Sequence, residues 1–109
     1  MITVFHAAGS RSVRIIWLLE ELGLDYELEV IKRGEINEAF LEASPFTKLP
    51  TIKDDDIVMS ESVAIVQYIL QKYGEGRLEP DHDSKEYAEY LQWLNFGESV
   101  LIDPIVSIL

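Results

Sequence analysis

Hydrophobic and polar positions change period several times along this chain, and each change predicts an element. Ile2 to Phe5 is a short β-branched and aromatic run, which reads as a buried strand. His6-Ala7-Ala8-Gly9-Ser10 breaks the run as a loop, with Ser10 placed to cap a helix. From Arg11 to Leu22 the period becomes helical: Ile15, Leu18, Leu19 and Leu22 share one face, and Val13, Ile16 and Trp17 widen it. Gly23 is a natural stop. Tyr26 to Ile31 then alternates, with Tyr26, Leu28 and Val30 set against Glu27 and Glu29, and predicts a second strand. A strand, a helix and a strand in that order predict a βαβ unit with parallel strands.

A polar loop with Gly34 follows, then a short helix from about Glu38 to Glu42. Pro45 and Pro50 bracket an irregular stretch. Thr51 to Lys53 and Ile57 to Met59, joined by the acidic turn Asp54-Asp55-Asp56, predict a β-hairpin. Ser60 can cap a helix from Glu61 to about Tyr73, with Val63, Val66, Ile69 and Leu70 on its apolar side. The pattern is α/β, βαβ then a short helix then ββα, over residues 1–78. Arg77 to Asp83 is polar and proline-bearing, like a linker. A further helix starts near Ser84, with Tyr87, Leu91, Trp93 and Leu94 as packing residues, and Pro104 should kink or end it. The apolar end, Ile105-Val106-Ser107-Ile108-Leu109, lacks a partner in the chain. Residues 84–109 therefore read as the start of a second, incomplete unit in a longer protein, or as a helix covered in an oligomer.

Composition narrows the chemistry. The chain has 109 residues, 20 acidic and 9 basic, for a formal net charge of −11. Such a field repels phosphate backbones and anionic lipids, which argues against nucleic-acid or membrane-surface partners. No apolar run approaches the roughly 20 residues that cross a bilayer, and the N-terminus lacks a secretory pattern, so a cytoplasmic location is expected. There is no cysteine. Thiolate zinc sites, disulfides and catalysis through the protein's own thiol are excluded, and any thiol must come with a ligand. His6 and His82 are isolated, without metal-ligand spacing, and the three aspartates lack the pattern of a calcium loop and read as a solvated hairpin turn. No metal is expected, and no nucleophile elbow is present.

Three features can carry chemistry. A cis Leu49-Pro50 bond would turn the Leu49 backbone outward to pair with an extended peptide ligand. Glu61-Ser62 opens a helix, where free N–H groups and the dipole favour an anion. Ser62 can donate to a carboxylate and Glu61 can accept from an ammonium, which suits an amino-acid zwitterion. Ser10 and Ser12 lie at the first helix start near Arg11 and Arg14, and a hydroxyl there can stabilise a ligand thiolate. Each feature alone also reads as an ordinary turn or helix cap.

Their order is more telling than any one of them. Gly9 to Leu24, then Ser44-Pro45-Phe46-Thr47-Lys48-Leu49-Pro50, then Glu61-Ser62-Val63-Ala64-Ile65-Val66-Gln67-Tyr68-Ile69, closely resemble the glutathione transferase family in a serine-type, bacterial or fungal form. Tyr90 to Ser99 resembles the first helix of that family's all-α domain. The resemblance implies a thioredoxin-like domain over 1–78, glutathione as co-substrate, a small electrophile as its partner, a detoxifying role and a homodimer. It implies Pro50 as the cis proline, Leu49 pairing with the cysteinyl part, Glu61 and Ser62 on the γ-glutamyl end, and Lys48 toward the glycine carboxylate. Ser10 is implied as the thiolate-stabilising hydroxyl, with Ser12 second and Arg11 in support. Ser44 and Thr47 depart from the Asn and Gly usual in the family. A glutathione-dependent isomerase, dehalogenase or peroxidase, or a non-catalytic interaction module, would share this fold. A glutaredoxin-like reductase using its own thiols is excluded by the missing cysteine.

Overall fold

A computed structural model describes residues 1–32 and 34–98. The elements run β1 (Ile2–His6), α1 (Val13–Leu22), β2 (Tyr26–Val30), α2 (Glu38–Ala43), β3 (Thr51–Asp54), β4 (Ile57–Ser60), α3 (Ser62–Tyr73) and α4 (Glu86–Phe96). This is the predicted order. The expectations for Ser99, Pro104 and residues 105–109 lie outside the described residues.

The four strands form one sheet in the order β2-β1-β3-β4. β1 runs parallel to β2, with His6 opposite Val30, and antiparallel to β3, which pairs antiparallel with β4. β1 is therefore central, and Ile2, Val4 and Phe5 are buried. β2 is an edge, which explains why its apolar residues Leu28 and Val30 remain exposed despite their alternation.

α1 buries Ile15, Leu19 and Leu22, the stripe read from the sequence, while Leu18 is only half-buried and Trp17 and Val13 are exposed. Burying one such aliphatic side chain contributes about 1.5–3 kcal/mol. Trp17 lies on the outer face, where its indole N–H donates to Glu21 Oε1 at 3.1 Å. The helix ends at Gly23, whose φ of +67° is accessible without a Cβ penalty, and Leu24 N–H closes on Leu19 C=O at 3.0 Å. α2 is capped by Asn37, whose side-chain oxygen accepts from Phe40 N–H at 2.9 Å. Its Phe40 ring packs 5.6 Å from that of Phe5, which holds the short helix to the sheet.

Four local expectations need correction. α1 begins at Val13, not Arg11, and Ser10 does not cap it, because residues 7–12 form turns in which the Ser10 hydroxyl is used elsewhere. Ser60 is not a cap either: it ends β4 and its hydroxyl meets Thr51 Oγ1 at 2.7 Å. Asp54 is not part of a solvated turn. It closes β3 at 1% exposure and accepts from the Tyr68 hydroxyl at 2.7 Å, leaving Asp55 and Asp56 as the exposed turn. In α3, Ile65 is fully buried together with Ile69 and Leu70, whereas Val63 and Val66 are half-buried.

The chain divides into two compact units, Met1–Tyr68, which holds the whole sheet, and Ile69–Leu109. In the second unit α4 has no buried residue among those described; Tyr87, Leu91 and Leu94 are half-buried and Trp93 is 62% exposed.

Candidate functional site

The carboxyl end of central strand β1, the turns leading into α1 and the loop before β3 meet around an open cavity of about 920 Å³. That is the size expected for a small-molecule site. Ala7, Ser10, Lys32, Asn37, Thr47 and Leu49 are among its lining residues. Two of the predicted site residues, Ser10 and Leu49, thus share one cavity although 39 positions separate them in the sequence. Ser12, Arg11, Lys48, Pro50, Glu61 and Ser62 do not line it.

The two serines differ in access. Ser12 is fully buried, and its hydroxyl lies between His6 Nδ1 at 2.6 Å and Ser10 Oγ at 2.5 Å. Ser10 is half-buried, donates to the Ala7 carbonyl at 2.8 Å and faces the cavity. Ser10 is therefore the hydroxyl a ligand can reach, with Ser12 behind it. Arg11 is half-buried in the same turn. His6, which the sequence presented as isolated, is tied into this group. Its position offered one signal: it is the last residue of a parallel strand, and ligands in α/β sheets collect at carboxyl ends.

The loop before β3 has its geometry set from inside. Leu49-Pro50 is cis. Ser44 is buried; its hydroxyl accepts from Lys48 N–H at 2.9 Å and its carbonyl from Thr47 N–H at 2.8 Å. Thr47 has φ +53°, a conformation that favours glycine. Ser44 is thus held in this loop by hydrogen bonding, and Thr47 sits there at a strain cost. Thr51, fully buried, donates to the Lys48 carbonyl at 2.6 Å and anchors the loop to β3.

Glu61 lies before α3 with φ +76°, and its carbonyl accepts the first helical bond from Ile65 N–H at 2.9 Å. A non-glycine residue held there costs about 1–3 kcal/mol, a cost that clusters at ligand sites. Glu61 Oε1 lies 3.7 Å from Lys48 Nζ, joining the loop to the helix start. Both side chains are exposed, so the pair is worth at most about 1 kcal/mol and gives way readily to a charged ligand. Ser62 is 5% exposed, and Arg14 Nη1 donates to its hydroxyl oxygen at 3.1 Å. With that lone pair occupied by a guanidinium, the Ser62 proton is available to an acceptor beyond the helix start. Arg14 and Lys48 are the basic side chains at this helix start, Arg14 on Ser62 and Lys48 beside Glu61. Among the described residues no group of three or more His, Asp or Glu side chains could hold a metal ion.

Residues 4–77 match the family described as Glutathione S-transferase, N-terminal domain. The chain belongs to that family. It is 38% identical over 104 residues to Glutathione S-transferase 3 of Schizosaccharomyces pombe, covering 94% of this chain and 43% of that protein. It is 35% identical over 104 residues to the disulfide-bond oxidoreductase YfcG of Escherichia coli, covering 86% of this chain and 47% of that protein. A glutathione transferase homologue from Lodderomyces elongisporus, solved with two glutathione molecules per subunit, superposes with a TM-score of 0.76 at 27% identity. That match covers 87% of this chain and 49% of the homologue. The chain thus spans less than half the length of each, and its fold is thioredoxin-like, as the resemblance implied.

Proposed function

We propose that residues 1–78 form the glutathione-binding domain of a glutathione transferase and that residues 84–109 open its all-α domain. The observation that carries this reading is the convergence of Ser10 and Leu49 on one cavity, with Lys48 bridging to Glu61 and Ser62 fixed by Arg14. In this reading the Leu49 backbone, which precedes the cis bond to Pro50, pairs with the cysteinyl segment. Glu61 accepts from the α-ammonium, Ser62 and the α3 start take the α-carboxylate, and Lys48 takes the glycine carboxylate. The sulfur then lies at Ser10, where a hydroxyl donor, the start of α1 and Arg11 favour thiolate over thiol. Ser12 acts behind Ser10.

The reaction is attack of that thiolate on a small electrophile. Stabilising the nucleophile and holding it near its target supply the acceleration, with no covalent enzyme intermediate. A cytoplasmic location and a detoxifying role are part of the same proposal. Among the described residues no helix is long and apolar enough to cross a membrane. A homodimer is part of the reading; exposed apolar side chains such as Phe46, at 84%, are surface that an interface would cover.

The name of the Escherichia coli relative supports a second activity at the same site, reduction of a disulfide. These 109 residues hold no cysteine, so in this reading two glutathione molecules supply the two reducing thiols and leave as one glutathione disulfide. A non-catalytic module is disfavoured because both serines and the Glu61-Ser62 pair are kept.

Titration of the full-length protein with glutathione, following thiolate absorbance, tests the site. Ser10→Ala should retain binding and lose the thiolate signal near neutral pH. Retention of the signal in Ser10→Ala would remove Ser10 from the chemistry.

A further inference from the structure

His6, Ser12 and Ser10 form a continuous hydrogen-bonded chain from the end of β1 to the cavity. Counting protons along it assigns every donor. The Ala7 carbonyl cannot donate, so the contact between Ser10 Oγ and Ala7 O at 2.8 Å uses the single Ser10 proton. Ser10 Oγ must then accept at its other contacts, from Ser12 N–H at 3.3 Å and from the Ser12 hydroxyl. The Ser12 proton is spent on Ser10, so Ser12 Oγ accepts from His6, and His6 carries its hydrogen on Nδ1. The donations run in one sense, from His6 to Ser12, from Ser12 to Ser10 and from Ser10 to the Ala7 carbonyl.

We propose that His6 is a positioning residue, acting through Ser12 to keep Ser10 a hydrogen-bond donor to whatever sulfur anion occupies the cavity. With His6 donating, Ser12 can turn its proton only toward Ser10, and Ser10 can turn its own only toward Ala7 or a ligand. If the imidazole accepted instead, Ser12 would donate inward, Ser10 could follow, and the proton that faces the thiolate would be lost. Donation into Ser10 from two groups also polarises its O–H, making it a stronger donor. The Ser10 hydroxyl need only rotate from the Ala7 carbonyl to the sulfur. Ser10 N–H, 3.1 Å from the same carbonyl, keeps that oxygen satisfied. Among the described residues, Arg11 and Arg14 lie at the α1 entry, Glu29 precedes Val30, the residue opposite His6, and Lys32 follows two positions after it. They are common to every variant below. This inference rests on glutathione occupying the site.

The test uses the full-length protein in four forms, wild type, His6→Phe, His6→Asn and Ser12→Ala, each with bound glutathione. His6→Phe keeps a ring and removes both nitrogens; His6→Asn restores an amide N–H near the Nδ1 position. The pH dependence of thiolate absorbance reads the thiol pKa in the complex. It should rise by roughly half to one unit in His6→Phe and Ser12→Ala, with glutathione affinity within about threefold, and return toward wild type in His6→Asn. Nitrogen NMR of the wild-type ring should show Nδ1 protonated; this needs no variant to fold. A ring protonated on Nε2 alone overturns the proposal, as does a thiol pKa unmoved in folded His6→Phe or unrestored by His6→Asn. Failure of wild type to bind glutathione overturns the binding reading itself, and this inference with it.

Discussion

Ser62→Ala removes one hydroxyl from a position that is 5% exposed and leaves the helix backbone in place. Arg14 Nη1 occupies one lone pair of that oxygen at 3.1 Å, so the hydroxyl proton is what a ligand carboxylate would receive. A hydrogen bond to a charged group contributes about 1.5–3 kcal/mol, and the burial of Ser62 shields it from competing water. At 1.4 kcal/mol per factor of ten, glutathione should bind roughly tenfold to a hundredfold more weakly. Calorimetric titration of the full-length protein measures this directly, with a circular dichroism melt to show that the variant is folded. A glutathione analogue lacking the α-carboxylate sharpens the result: it should bind wild type weakly and lose little more in Ser62→Ala, because both changes delete the same contact. Glutathione affinities within twofold of each other in the two proteins would refute the assignment of the carboxylate to Ser62.

Thr47→Gly should stabilise the protein by up to about 1 kcal/mol, since φ +53° strains threonine, offset by the lost hydroxyl contact to Phe46; urea unfolding reads the change. Tyr68→Phe should cost about 1–2 kcal/mol in the same assay by removing the 2.7 Å bond to buried Asp54, and no loss would mean that this bond contributes nothing net. Tyr26 keeps its proton above the ordinary phenol range, chiefly because its hydroxyl donates to Glu20, with smaller contributions from burial and the Glu20 charge. Its folded pKa lies above the unfolded value, so this contribution to stability is complete below the unfolded pKa and fades as pH rises through the folded one. Glu20→Gln should bring the Tyr26 titration, followed by ultraviolet absorbance, back down.

The element order and the α1 stripe were legible because they rest on periodicity, which burial enforces. Helix starts were not. Ser10 and Ser60 both look like caps, but a cap is defined by backbone angles that tertiary contacts decide, and here one hydroxyl serves Ala7 and the other Thr51. Asp54 looked solvated because its two neighbours are; its burial depends on a tyrosine 14 residues away. The site showed the same division. The Leu49-Pro50 and Glu61-Ser62 pairs were visible as motifs. The roles of His6, half-buried at a strand end, and of Arg14, reaching 48 positions to Ser62, exist only once the chain is folded.

The most direct test is a crystal structure of the full-length protein with glutathione bound. The account predicts the sulfur within hydrogen-bond distance of Ser10 Oγ, the Leu49 backbone paired to the cysteinyl unit, and the α-carboxylate on Ser62 at the start of α3. Glutathione bound with its sulfur away from Ser10, or its α-carboxylate away from Ser62, would contradict it.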